Sequence, residues 1–481
     1  MVMKCWIKFL MASLVAYLLF GVSPILAQEQ QEGGAPKSAA HAYPPLIEGI
    51  GDQQTNDLDQ MANPHPDDRP LTGVQAFTLG TPPVRHSYWV PGFQYGNFVR
   101  STPQNQPGLT DWNTTSYFAA TASLLEAWSH AQLTVNYSGG GYVSTDSTQG
   151  NGYYHQLAFA QTFEWQRWQL EFLDQFAYLP QSQFGFGGTT NFSVPGVGGS
   201  LGAGQPGLQP NYVPNQTIFS ALGSRYSNSF AAQAVYALSP RGSITLVGSI
   251  GILRFSEAGN IQSNDGIFSA GYNYALTSRD TLGLQYRFSG YRYIGSPQAL
   301  DDHVVQLAYG RKITGRLALQ LYGGPEVTNF QVPLAGVSRR ISGSGGATLL
   351  WDVSRGAVSL SYIHGVSGGS GVFTGSSTDW LQGVVGRQLT REWHANINFG
   401  YARNAFLGAN AQQNGQTYDS WYAGAGLDRP LGRDASLSIG YTAYIQSSTL
   451  PVCVTGTCGA NFTQHQVSLS FQWRLRPLVL R

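Results

Sequence analysis

Asp301-Asp302-His303 sets two carboxylates beside an imidazole, a combination able to draw a proton from water. No second acidic pair faces it, so solvated surface is the ordinary reading. A cation or lipopolysaccharide contact and catalysis are the alternatives. Gly-x-Ser-x-Gly occurs twice, at Gly198–Gly202 and Gly365–Gly369, each time in a Gly-rich stretch without the strand-to-helix turn a nucleophile elbow needs. The nine His show no metalloprotease spacing, and Gly139-Gly-Gly141 lacks the Lys and helix of a phosphate loop. Cys453 and Cys458 flank a Thr-Gly turn, which fits a small disulfide ring in an oxidising compartment. Free thiols or a metal are the alternatives there, although a metal would want more ligands than this stretch offers. Neither a catalytic centre, a cofactor site nor a metal site is therefore expected.

The polar residues that do recur sit in alternating segments. In Arg316-Leu-Ala-Leu-Gln-Leu-Tyr322 the leucines share one face and Gln320 lies on the other. The same alternation runs through Ala395–Tyr401, Leu437–Ile445 and Val467–Trp473. A period of two is a strand with one apolar and one polar face. The polar faces carry Glu171, Gln285, Arg287, Ser289, Gln306, Gln320, Asn396, Asn398, Ser438, Thr442, Ser468 and Gln472. Most are neutral amides and hydroxyls, which would wet a passage without selecting ions by charge.

Composition supports a wall between two solvents. Charged residues are 11% and aromatics 13% of the 481 residues, with 59 Gly. A net charge of +1 offers no basic surplus for nucleic acid. Residues 1–27 read as a secretory signal peptide: Lys4 and Lys8, an apolar stretch from Phe9 to Phe20, and a small residue, Ala27, at its end. After it no 18-residue apolar run occurs, so membrane-spanning helices are not expected. Residues 28–84 are rich in Gln, Pro and Gly without periodicity, and are expected to be a disordered, flexible periplasmic segment.

The connections separate a barrel from a soluble sandwich. Short turns recur at Ala127–His130, Trp165–Arg167, Ser239–Gly242, Thr277–Asp280, Lys312–Gly315, Asp352–Gly356, Leu389–Glu392 and Pro430–Arg433. Longer Gly, Ser and Asn-rich connections lie between them. Tight turns on one side and long loops on the other mark an outer-membrane barrel. Trp128, Trp165, Trp168, Trp351, Trp393 and Trp473 fall at the turn side and Trp380 and Trp421 at the loop side, as aromatic belts would. A strand on each side of eight turns, a closing strand near Gln464–Arg474 and an opening strand at Tyr88–Phe98 give an all-β, antiparallel transmembrane β-barrel of 18 strands over residues 85–481. Sixteen strands is the alternative. Pro91 inside the opening strand is its weak point.

Over that length the chain resembles the bacterial outer-membrane porins and their relatives. Phe471 and Trp473 resemble the aromatic end of the closing-strand signal of such barrels, although Arg474–Arg481 follow. The resemblance implies the outer membrane of a Gram-negative cell, with both termini periplasmic. It also implies contacts with membrane lipid, lipopolysaccharide and the barrel-assembly machinery, and passage of small hydrophilic solutes, saccharides among them. A polysaccharide-export pore is the rival reading, and a β-barrel surface enzyme such as a protease the less favoured one. Oligomeric state is not legible. In porin-like barrels the third outside loop commonly folds into the lumen. Here that connection is roughly 45 residues, far beyond usual loop lengths. It carries no charge from Gln175 to Ser224, but does carry Phe184, Phe186, Phe192, Tyr212 and Phe219. These five aromatics are the candidate constriction, able to stack on sugar rings; a disordered outer flap is the alternative.

Overall fold

Alternation of apolar and polar residues along eighteen segments builds one closed antiparallel barrel in the computed structural model. The structure describes residues 87–479, apart from 104–109, 146–149, 180–206, 209–216, 219–223, 257–259, 335–336, 354, 408–415, 433, 450–460 and 477, together with Phe77–Thr78. The signal peptide, most of 28–84, the Cys453–Cys458 ring and the aromatics Phe184, Phe186, Phe192, Tyr212 and Phe219 lie outside the described residues.

The first nine strands are β1 (Tyr88–Pro103), β2 (Thr110–Ala127), β3 (Ala131–Ser144), β4 (Gly152–Glu164), β5 (Trp168–Leu179), β6 (Arg225–Ala237), β7 (Gly242–Phe255), β8 (Ser263–Ala275) and β9 (Asp280–Tyr293). The second nine are β10 (Ala299–Lys312), β11 (Leu317–Leu334), β12 (Val337–Val353), β13 (Gly356–Ser367), β14 (Ser376–Gln388), β15 (His394–Phe406), β16 (Thr417–Pro430), β17 (Ala435–Ser448) and β18 (Phe462–Arg474). Each pairs with its chain neighbour, and β18 closes on β1 from Gly92↔Arg474 to Arg100↔Gln466. Eighteen strands, not sixteen, is therefore the count.

Pro91 is accommodated at the closure seam. The β1–β18 ladder starts only at Gly92, and Leu478–Val479 then pair with Tyr88–Trp89. Pro91 falls in the gap between these two pairings, where a missing N–H interrupts nothing, and its carbonyl accepts from Leu475 N at 2.9 Å. One outer connection also departs from expectation. β11 and β12 run 18 and 17 residues and leave only 335–336 between them, so this hairpin stands beyond its neighbours.

The two faces of the wall are reversed relative to a soluble protein. Ile250 is 60% exposed and Leu307 56%, while Ser269, Asp302 and Thr328 are 0% exposed. Apolar side chains point out and polar ones pack inside, because alternation sends successive residues of each strand to opposite sides of a closed sheet. Trp128, Trp165, Trp168, Trp351, Trp421 and Trp473 are all exposed on the outer face. Trp380 is not. It shares the parity of Ser376 and Thr378, which are buried, and packs inside against Ala402, Tyr422 and Tyr444.

Candidate functional site: the barrel lumen

All the polar residues singled out from the sequence lie on the inward face of their strands. Glu171, Arg287, Ser289, Gln306, Gln320, Asn398, Thr442 and Ser468 are buried there, and Gln285, Asn396, Ser438 and Gln472 are half-buried. They are cross-linked around the wall. Gln285 Nε2 donates to Gln306 Oε1 at 2.8 Å, and Gln306 Nε2 donates to Ser344 Oγ at 3.0 Å. Glu171 accepts from Gln169 Nε2 at 2.7 Å and from Gln233 Nε2 at 3.1 Å, so its buried charge is held by two amides.

The wall is less neutral than that set implies. Asp265 on β8, Asp302 on β10 and Glu326 on β11 are also inward and at most 4% exposed. The parity of Gln306 and Gln320 contained this information for Asp302 and Glu326, because residues an even number apart on a strand share a face. The tripeptide Asp301-Asp302-His303 is split by the same rule. Asp302 is inside, where its Oδ1 accepts from Thr328 Oγ1 at 3.0 Å. His303 is on the outer face, with Nδ1 2.8 Å from the Tyr286 hydroxyl, and Asp301 pairs outside with Arg292 at 2.7 Å. The three cannot act together on one water.

Arg100 on β1 is an inward cation of the opposite arc. Its Nε donates to Gln466 Oε1 at 2.9 Å, its Nη2 to Tyr117 Oη at 3.4 Å, and its guanidinium lies 5.8 Å from the Phe98 ring centre. Phe98, Tyr117, Tyr142 and Tyr154 form one inward aromatic cluster, and Trp380, Tyr422 and Tyr444 another. Sequence reading picked out neither cluster, and it assigned Trp380 of the second one to the outer belt.

Two of the longer connections meet inside the barrel. The 368–375 loop, between β13 and β14, is largely buried. Ile261 N donates to Gly371 O at 2.7 Å, and Tyr291 Oη donates to Val366 O at 3.4 Å. Phe373 packs with Ile218 and Tyr418. Thr217, from the long connection after β5, reaches the far wall: its N donates to Ser370 Oγ at 2.9 Å and its Oγ1 to Asn404 Oδ1 at 3.0 Å. Asn404 is inward on β15 and 0% exposed. Gly369, Gly371 and Gly375 have φ of +82°, +79° and +102°. At Gly371 a Cβ would stand 2.5 Å from the Phe255 ring, so the loop can sit this deep only as glycine. Phe77–Thr78 also pair with Gly207–Leu208 of the long connection.

No family model and no curated protein sequence matches this chain. Among solved structures it is similar to the outer membrane protein OpdK of Pseudomonas aeruginosa, at 10% identity and a TM-score of 0.40, over 80% of this chain and 99% of that one. It is also similar to Pseudomonas aeruginosa OccK2 (OpdF), at 10% identity and 0.42, over 80% and 98%. The third is Acinetobacter baumannii OccAB3, at 9% and 0.40, over 80% and 99%.

Proposed function

We propose that this protein is an outer-membrane channel that passes small hydrophilic solutes through a lumen narrowed by its own outer loops, without covalent chemistry. The observation that carries this reading is the inverted wall, with Ile250 and Leu307 exposed outside while Gln306, Thr328 and Asn404 are buried inside. A closed barrel has no unpaired edge to present to lipid, and its apolar outer band suits a bilayer. Eighteen strands enclose more room than side chains alone can fill.

The meeting of Thr217 with Ser370 and Asn404 favours small solutes over an exported polymer. Two connections crossing from different walls divide the lumen, whereas an export pore must stay wide along its length. The inward amides and the Tyr and Trp clusters suit sugars, since rings stack on aromatic faces and hydroxyls pair with amides. The aromatics at Phe184, Phe186, Phe192, Tyr212 and Phe219 would add to the same surface if the long connection follows Thr217 inward.

Reconstitution in planar bilayers tests the reading. The purified protein should give discrete conductance steps in KCl, and maltooligosaccharides should block them from one side. In cells it should fractionate with the outer membrane and migrate differently on gels before and after boiling. A protein that inserts into bilayers but never conducts, or that is recovered as a soluble periplasmic species, would overturn it.

A further inference from the structure

We propose that the outer part of the lumen holds a binding subsite for a primary ammonium group, formed by Asp265 and Tyr293 beside the 368–375 loop. The proposal rests on the channel reading and names the solute chemistry that one wall of the channel would favour.

Asp265, Asp302, Glu326 and Arg287 occupy inward positions on β8 to β11. Asp265 stands opposite Tyr291, Asp302 opposite Ser289, and both Arg287 and Glu326 opposite Val304. The Arg287 guanidinium acts on Asp302, and Asp265 has no cation against it among the described residues. Glu326 is fully engaged: Oε1 accepts from Val366 N at 3.0 Å and Oε2 from Ser342 Oγ at 2.9 Å. Asp302 uses Oδ1 for Thr328 and lies within hydrogen-bonding reach of the Glu326 carboxyl, so these two acids serve each other. Asp265 is 4% exposed, and no described residue gives it a hydrogen bond or an ion pair.

A second, independent observation points to a ligand. The Tyr293 hydroxyl is buried, has no hydrogen-bond partner among the described residues, and lies close enough to Asp265 to interact with it electrostatically. Here a phenol oxygen able to accept stands beside a carboxylate that needs donors, and neither serves the other. A buried carboxylate without donors is costly, and a cationic donor relieves that cost most. The chain has none to bring from its outer loops. The segments 104–109, 146–149, 180–206, 209–216, 219–223, 257–259, 335–336, 408–415 and 450–460 contain no Lys or Arg.

The ligand's chemistry follows from the donor set. Among the described residues no group of three acidic or histidine side chains has the arrangement to hold a metal ion. The oxygens that lack donors are those of Asp265 and Tyr293, a pair that suits the hydrogens of an ammonium group better than a compact coordination sphere.

Glucosamine and glucose differ at one position, by an ammonium in place of a hydroxyl, and are the probes. Glucosamine should block the single-channel current at a concentration at least about tenfold lower than glucose, the size of one charge-assisted hydrogen bond. Asp265→Asn should erase that preference and leave glucose block unchanged, and Asp301→Asn, on the outer face, should leave both as they are. Equal potency of the two sugars in the native protein, or full preference in Asp265→Asn, overturns the subsite while leaving the channel intact. Calorimetric titration of glucosamine into the detergent-solubilised barrel reads the subsite without conduction. Heat that vanishes in Asp265→Asn supports it, and no heat with the native protein refutes it. A barrel that binds glucosamine but does not conduct would sink the channel reading alone.

Discussion

Asp302 and His303 are consecutive in the chain and lie on opposite sides of the barrel wall, the carboxylate hydrogen-bonded to Thr328 inside and the imidazole to Tyr286 outside. A motif that looks catalytic as a string is thus dissolved by a strand. Asp302→Asn should shift the reversal potential in a KCl gradient toward anion permeation, because it removes an inward carboxylate from a low-dielectric wall. Asp301→Asn and His303→Gln should leave it unchanged. A shift from His303→Gln as large as that from Asp302→Asn would contradict the assignment of faces.

Gly371 is the tightest point of the infolded 368–375 loop, with φ of +79° and the Phe255 ring where a side chain would go. Gly371→Val should cost about 1–3 kcal/mol in backbone strain alone if the loop stays in place. The cheaper response is for the loop to leave the lumen. Single-channel conductance should therefore rise, with the barrel's unboiled gel mobility retained. A conductance equal to that of the native protein would show that this loop does not limit flow.

Thr217→Val keeps the shape of the side chain and removes its hydroxyl bond to Asn404. One buried hydrogen bond is worth roughly 0.5–1.5 kcal/mol, enough to loosen the crossing without unfolding the barrel. The expected readout is added noise and short closures in recordings at constant voltage. Deleting Gly187–Pro210 goes further: it should raise conductance and weaken oligosaccharide block. Unchanged traces from both variants would place the long connection outside the path.

Glu326 reaches across β12 to the backbone N–H of Val366, beyond the point where the β12–β13 ladder stops at Gly345↔His364. It acts as a substitute strand partner. Glu326→Ala should lower the temperature at which the barrel loses its unboiled gel mobility, since a buried N–H left unpaired costs about 1–3 kcal/mol. Glu326→Gln keeps an acceptor and should fall between the two. Equal melting of Glu326→Ala and the native protein would remove this structural role.

Some of the site was legible from strand parity alone. Gln285, Gln306, Gln320, Asn398 and Thr442 were placed inward by alternation, and the same parity already contained Asp302 and Glu326. They escaped because Asp302 was weighed with its chain neighbours Asp301 and His303 and not with Gln306 on its own face. Trp380 escaped for a related reason. An aromatic near a strand end suits a membrane belt, yet its parity with Ser376 and Thr378 sends it inside. Asp265 and Tyr293 belong together only through the β8–β9 ladder, where Ser263 faces Tyr293 and Asp265 faces Tyr291.

Strand direction and the face of each side chain follow from the sequence by itself, because alternation and turn chemistry act between residues a few positions apart. Eight short turns with an opening and a closing strand favour eighteen over sixteen, and the β18–β1 pairing decides it. The interior of the lumen was decided by tertiary structure alone. Gly365–Gly375 carries no periodicity, and its glycines permit both an outward flap and an inward fold. What draws the loop in is contact with Phe255, Ile261, Tyr291 and Thr217, which come from three separate stretches of chain and share a space only after the barrel has closed.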